Sequence, residues 1–347
     1  MRAMAVTAYG EPLVQLDLPE PEVPADHALL EVITCGVCFS DVKTARGHMP
    51  FSDRLRLPHV PGHEIFGRVM RTEPSGLMEE GTLATVFHYW PCGRCASCRR
   101  GDETLCSQLA AWTGFTHHGG FRERIAVPVD RLIAVPSSID PVHAAPLSCA
   151  LGTAYRSVVV RGGVRAGSTV AIVGLGGVGI HAAQIARVAG AAVVGFDVHE
   201  PTLEAARELG LDVRASDPEA AAEAVAEAGG EGMDVVLDTV GHTETLALAD
   251  LLVRQGGRIV GVGYDPTTTL GVPTPRFVLG ELELVGSRYA HRDDLERAVA
   301  LVAAGAVRPV VGMVRRLEDV NEVFAALESG SVVGRAVLEV AEVADRG

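Results

Sequence analysis

The chain has 347 residues, 48% of them hydrophobic and 21% charged, and a formal net charge of −14. That length accommodates two domains with separate cores, and the composition is that of a packed globular protein, neither disordered nor fibrous. The acidic balance and the lack of any sustained run of Lys and Arg argue against nucleic acid and anionic membrane surfaces as partners.

Residues 1–16 alternate apolar and polar positions and include Arg2 and Glu11. They show neither the apolar centre nor the cleavage site of an export signal, so a cytoplasmic location is expected. Residues 1–150 read as an irregular, mostly β domain, with short β-like runs at 28–34, 65–70 and 124–127. Near residue 148 the texture changes. Thr169–Val173 has the pattern of a buried strand, followed by a Gly-rich turn at 174–179 and an Ala-rich helix to about residue 189. Ala192–Asp197 is the next strand, then a helix across 204–209. Further strands are expected at 234–238, 258–262 and 282–287, with helices at 220–228 and 244–254. Strand and helix alternating in this way predict a parallel, doubly wound sheet over 151–287. The most apolar stretch, 170–180, holds four glycines and is too short to span a bilayer. Helices at 293–304 and 318–328 and a strand at 336–340 close the chain, and 288–347 is expected to return to the first domain. The fold class is therefore α/β, a β-rich domain plus a dinucleotide-type parallel domain.

Of seven cysteines, four fall within fifteen residues, as Cys92, Cys95, Cys98 and Cys106. Their C-x2-C-x2-C-x7-C spacing lets short loops close four thiolates around one tetrahedral zinc. An iron–sulfur cluster or unligated thiols are the alternatives, and nothing else in the chain resembles a ferredoxin. Cys38, His63 and Cys149 could form a second, open metal site, since a catalytic zinc takes three protein ligands and leaves one position open. Taken alone, His63 reads first as an ordinary partly buried histidine and Cys149 as an inert core cysteine; their context shifts the reading.

Gly174, Gly176, Gly177, Val178 and Gly179 spell G-x-G-x-x-G between a strand and a helix, with Asp197 at the end of the following strand. This is the dinucleotide fingerprint: glycines admit the pyrophosphate and the acidic residue meets the adenosine ribose. Asp197 would repel a 2′-phosphate, so NAD is favoured over NADP, although His199 nearby could offer a donor.

The order of these motifs, together with Gly62-His63-Glu64-x-x-Gly67, Cys35-Gly-Val-Cys38-Phe39-Ser40-Asp41 and Val333-Gly334-Arg335-Ala336-Val337, resembles the zinc-dependent medium-chain alcohol dehydrogenases along nearly the whole chain. The resemblance implies a GroES-like catalytic domain with a Rossmann domain, and two zinc ions per chain. Cys38, His63 and Cys149 would hold the catalytic zinc, Glu64 would be an alternate fourth ligand, and Asp41 would orient His63. Cys35 is left as a non-ligand, and the Ser-Asp continuation argues against a Cys35/Cys38 redox dithiol. A zinc-bound alcohol loses its proton near neutral pH, Ser40 is placed to accept it, and hydride passes to the nicotinamide. Thr153 and Val178 would flank the nicotinamide, with Gly261, Val262 and Ser287 along its pocket. Arg335 would reach the cofactor or balance Glu64.

Two positions depart from the family. Lys43 stands where a histidine often ends the proton relay, and Phe39 where Arg or His often reaches the pyrophosphate. Trp90, Trp112 and Phe115 are candidate walls of an apolar substrate pocket or ordinary core residues. The resulting expectation is an NAD-dependent enzyme interconverting a primary or secondary alcohol and its carbonyl. Polyols, amino-alcohols or hydroxyacyl thioesters are the alternative substrates, and a zinc- and nucleotide-binding protein without turnover is the alternative of another class. A homo-oligomer, dimer or tetramer, is expected from the likeness of 282–287 to the family's edge strand.

Overall fold

The computed structural model describes residues 1–341, so 342–347 of the expected returning segment lie outside the described residues. The chain divides into two units. One comprises residues 1–149, 291–303 and 311 onward, and the other 150–290 and 304–310. Residues 288–290 and 304–310, read from the sequence as part of the returning segment, thus group with the second unit.

The second unit is built on six parallel strands in the order Asp212–Ala215, Ala192–Asp197, Thr169–Val173, Met233–Asp238, Val253–Gly261 and Glu283–Gly286. Thr169–Val173 is central and buried on both faces, which is why its sequence is an unbroken apolar run. Chain order reverses on either side of this strand, opening a crevice at its carboxyl end. The helix expected at 220–228 begins at Pro218, because Asp217 accepts a hydrogen bond from Ala220 N at 2.8 Å and a proline fits the first turn. The helix expected at 204–209 likewise starts earlier, as Glu200–Glu208. Val253–Gly261 begins five residues before the strand read from the sequence, immediately after the helix Thr243–Leu252. Asp212–Ala215 was not anticipated: it is a half-exposed edge strand of four residues with charges at two positions, and lacks an apolar run. The core joins Val173, Phe196 and Val236 to Leu248, Leu252 and Ile259.

In the first unit the path Val311–Arg316, Arg335–Glu339, His27–Val37, Glu64–Glu73, Leu83–Val86, Leu132–Ala134 forms one sheet, with Arg124–Pro128 also paired to His27–Val37. Arg335–Glu339 runs antiparallel to His27–Val37, so the end of the chain completes the sheet begun near its start. Val311–Arg316 escaped the sequence reading because it is only half buried and ends in two arginines. The core beneath this sheet includes Leu30, Val32, Ile65, Val86, Phe121 and Leu338. Among the described residues no helix is long and apolar enough to cross a membrane.

Candidate functional site

Sheet register assembles the first cluster. Gly36 pairs with Glu64 and Val37 with Ala336. The ends of three strands therefore bring Cys38, His63, Glu64 and Arg335 together. Gly36 is required there, since a Cβ on it would lie 2.1 Å from Glu64 Oε2. Ser148 Oγ donates to the His63 carbonyl at 3.3 Å, which seats the segment leading to Cys149. Donor atoms of Cys38, His63, Glu64 and Cys149 all lie within 4.8 Å of one another.

Asp41, in the helix Phe39–Ala45, is fully buried and accepts three hydrogen bonds. They come from His63 Nδ1 at 2.9 Å, Gly62 N at 3.1 Å and Cys38 N at 2.9 Å. Donation from Nδ1 leaves the His63 Nε2 lone pair available for a metal. Ser40 Oγ stands 3.7 Å from Cys38 Sγ. Arg335 Nη2 lies 3.0 Å from Glu64 Oε1, both side chains nearly inaccessible, yet neither Glu64 oxygen has an aligned hydrogen-bond donor among the described residues.

Burial raises the Glu64 carboxyl to about 7 against the pull of Arg335. Cys38 is held well below the usual thiol range by the hydrogen bond from Cys149, against burial and with help from Arg335 and His63. Burial alone would depress His63, but Asp41 and the Cys38 sulfur outweigh it and hold the imidazole near 10, so a metal takes Nε2 by displacing its proton. A thiolate, a second thiol, an oriented imidazole and an orphaned carboxylate in one pocket are a donor set that fits zinc.

Aromatic rings close over this cluster. Phe115 lies 4.7 Å from the His63 ring and 4.1 Å from Trp112. Trp90 does not take part: its Nε1 donates to Thr113 Oγ1 and its ring packs on His117. Phe51, 5.1 Å from Trp112, and His88, edge-on to His63 at 5.1 Å, complete the wall and were not anticipated. Neither sits in a motif, and only tertiary packing identifies them. Cys35 belongs to the buried core and is not in the donor cluster.

Cys92, Cys95, Cys98 and Cys106 converge within 4.8 Å. Cys95 Sγ is 3.4 Å from Cys98 Sγ and 3.9 Å from Cys106 Sγ. These separations match the edge of about 3.8 Å of a tetrahedron with zinc–sulfur bonds of about 2.3 Å, and exclude a disulfide near 2.05 Å. Backbone N–H groups of Cys92, Cys95 and Cys98 point at the sulfurs, and the Cys98 amide leads in lowering Cys95 to about 5. Burial leads in raising Cys98 to about 12, so the four sulfurs become thiolates together only around a cation.

At the carboxyl end of Thr169–Val173 the three fingerprint glycines have separate reasons. Gly174 has φ +84°, and a Cβ there would meet Val240 at 2.4 Å. A Cβ on Gly179 would strike the Gly174 carbonyl at 1.8 Å, whereas around Gly176 nothing lies within 4 Å. The turn is therefore tight, closely packed at its helix, and open where a pyrophosphate would approach. Val178 precedes the helix Gly179–Val188. Asp197 accepts from Leu175 N at 2.7 Å and His199 N at 2.9 Å, one on each oxygen, which aims the carboxylate and leaves further lone pairs. His199 is engaged with Thr202 Oγ1 at 3.0 Å.

Farther along the edge, Gly261 and Gly286 are open, Val262 N donates to Asp238 O, and buried Ser287 Oγ has no hydrogen-bond partner among the described residues. An orphaned hydroxyl beside open glycines fits a polar cofactor group. Thr153 is 7% exposed, in the helix Ala150–Tyr155. Buried Asp238, missed in the sequence, accepts from Val240 N, Gly241 N and Thr245 Oγ1 and shapes a cavity of about 190 Å³ with Gly261, Tyr264 and Leu270.

The family profile described as alcohol dehydrogenase GroES-like domain matches residues 24–137, and that described as zinc-binding dehydrogenase matches 177–338. The chain is 32% identical over 346 residues to an alcohol dehydrogenase of Geobacillus stearothermophilus, covering 99% of this chain and 100% of that one. It is 33% identical over 348 residues to an NAD-dependent alcohol dehydrogenase of Sulfurisphaera tokodaii, covering 97% and 99%. The crystal structure of the Aeropyrum pernix alcohol dehydrogenase superposes with a TM-score of 0.89 at 30% identity, covering 98% and 100%. By sequence along its whole length and by fold, this chain belongs to the zinc-dependent medium-chain alcohol dehydrogenase family.

Proposed function

We propose that the protein interconverts a primary or secondary alcohol and its aldehyde or ketone with NAD, at the site built by Cys38, His63 and Cys149. One observation carries the reading: a hydroxyl, Ser40 Oγ, stands 3.7 Å from a sulfur of a buried donor cluster that fits zinc. A binding protein has no need of a proton acceptor at such a place.

When bound, zinc supplies a Lewis acid to the substrate oxygen and NAD the hydride acceptor. The chain's own residues do the rest. Cys38, His63 and Cys149 hold the metal, and Asp41 locks the imidazole orientation. Ser40 takes the proton of the substrate hydroxyl. Glu64, balanced by Arg335, is the replaceable fourth donor. Trp112 and Phe115 exclude water and favour apolar substrates over polyols. In the second unit, Gly174, Gly176, Gly177 and Gly179 receive the pyrophosphate, Asp197 the adenosine ribose, and Ser287 with Gly261 and Val262 the nicotinamide end. A carboxylate at 197 selects NAD over NADP.

The test is zinc per chain together with NAD reduction over a panel of apolar alcohols, diols and hydroxyacyl thioesters. Two zinc ions and turnover on apolar alcohols are expected. Two zinc ions without turnover on any substrate would leave a binding protein instead.

The same reading includes a homo-oligomer. Glu283–Gly286 is an edge strand, and Tyr264, Leu270, Phe277, Val278 and Leu279 nearby in sequence are 40–80% exposed. Light scattering after size exclusion checks it, and a monomer at micromolar concentration would refute it. Two sites built of unbridged cysteines also suit a reducing cytoplasm.

A further inference from the structure

The helix that opens at the Gly-rich turn carries a histidine that belongs to no motif and to neither cysteine cluster. His181 lies in Gly179–Val188 and has no accessible surface. Both of its ring nitrogens are committed. Nε2 accepts from Val310 N at 2.9 Å, a backbone group that can only donate, so the ring proton sits on Nδ1. Nδ1 therefore donates to the Gly177 carbonyl, at 2.7 Å. Three residues on, Gln184 grips the same segment twice: Oε1 accepts from Arg308 N at 2.9 Å and Nε2 donates to Arg308 O at 3.0 Å. Residues 304–310 group with the helix in one unit, so the imidazole is clamped between them and the turn.

The clamp acts on a single peptide. The bond between Gly177 and Val178 is trans, so its C=O and N–H lie in one plane and point in opposite directions. Drawing the Gly177 carbonyl along the helix towards His181 aims Val178 N–H the other way, out of the helix start. No side chain caps this helix, and nothing lies within 4 Å of where a Cβ on Gly176 would stand. Backbone N–H groups at such a start are the donors that a phosphate meets. The flanking carbonyls of Gly176 and Val178 accept ordinary backbone bonds, from Ile180 N at 3.1 Å and Ala182 N at 2.9 Å. The Gly177 carbonyl is the one that a side chain holds.

We propose that His181 is a positioning residue for the cofactor pyrophosphate: it holds the Gly177 carbonyl so that Val178 N–H faces the phosphates, and Val310 N keeps the ring in the tautomer that does so. This role, which rests on the NAD reading above, sets affinity for the dinucleotide and leaves the chemistry at Cys38, His63 and Cys149 untouched.

The test uses the zinc-replete full chain and two substitutions that divide the two bonds. His181→Asn places an amide NH2 where Nδ1 stands and loses the bond to Val310. His181→Gln reaches as far as Nε2 with an acceptor and loses the bond to Gly177. Binding of NAD and ADP-ribose is measured by calorimetry, with adenosine as a competitor, alongside melting temperature and steady-state kinetics. His181→Gln should weaken NAD and ADP-ribose about tenfold each, the scale of one hydrogen bond to a charged group. KM for NAD should rise in step, with kcat changed less than about twofold. Adenosine lacks the phosphates and should compete equally well in variant and wild type. His181→Asn should recover most of the lost affinity although it also melts earlier. Dinucleotide affinity that falls in both variants in proportion to melting temperature, or that stays at the wild-type level in His181→Gln, would overturn the role while leaving the NAD reading intact. A wild-type chain that binds no NAD would overturn that reading and this role with it.

Discussion

Asp41→Asn separates orientation of the metal site from simple packing. The carboxylate uses one oxygen for His63 Nδ1 and Gly62 N and the other for Cys38 N. An amide has one oxygen, so whichever way it turns, its NH2 group faces a donor. With the oxygen towards His63 and Gly62, the buried Cys38 N–H is stranded, at a cost of about 1–3 kcal/mol. The opposite orientation strands two donors and releases the imidazole. The smaller cost converts to roughly 5- to 150-fold, which brackets the 10–100-fold typical of losing a partner that orients a metal ligand. The assay is chelator competition followed by zinc analysis, with the four-cysteine zinc as internal reference, alongside kcat/KM. Loss of one zinc at 10- to 100-fold lower chelator, with kcat/KM falling in step, is expected. A variant that melts earlier yet keeps wild-type zinc affinity and kcat/KM would refute the orienting role.

Three further outcomes follow from the same geometry. Ser40→Ala should lower kcat by about 10²–10⁴ with two zinc ions retained, and a change under twofold would remove Ser40 from the proton path. Cys106→Ser should reduce zinc to one per chain and lower the melting temperature while turnover persists in the cold; two zinc ions per chain would show that Cys106 is not a ligand. His59 is drawn from 6.5 to about 4 by burial first, so it stays neutral when folded while the unfolded chain protonates. Its contribution is complete above pH 6.5 and is lost as pH falls towards 4, up to about 3 kcal/mol. His59→Gln should flatten the urea midpoint between pH 6.5 and 4.5, and superimposable profiles would exclude His59 as the source.

Local chemistry made several features readable from the sequence. Four cysteines within fifteen residues can meet only each other, and a Gly-rich turn after an apolar strand has few other uses. The central strand Thr169–Val173 was legible because burial on both faces demands an unbroken apolar run. Edge strands such as Asp212–Ala215 carry no such demand, since one side meets solvent and charges are tolerated. Helix starts slipped where a cap, such as Asp217, acts outside the periodic pattern.

The open site is a different matter. Cys38, His63 and Cys149 are separated by up to 111 residues, and their order along the chain identified them only through resemblance. Tertiary structure decided their convergence, through the pairings Gly36 with Glu64 and Val37 with Ala336. It also brought Phe51 and His88 to the wall and removed Trp90 from it. Spacing along a chain constrains only contacts that a short loop can close. Contacts between distant segments are set by sheet register and core packing, which no local pattern encodes.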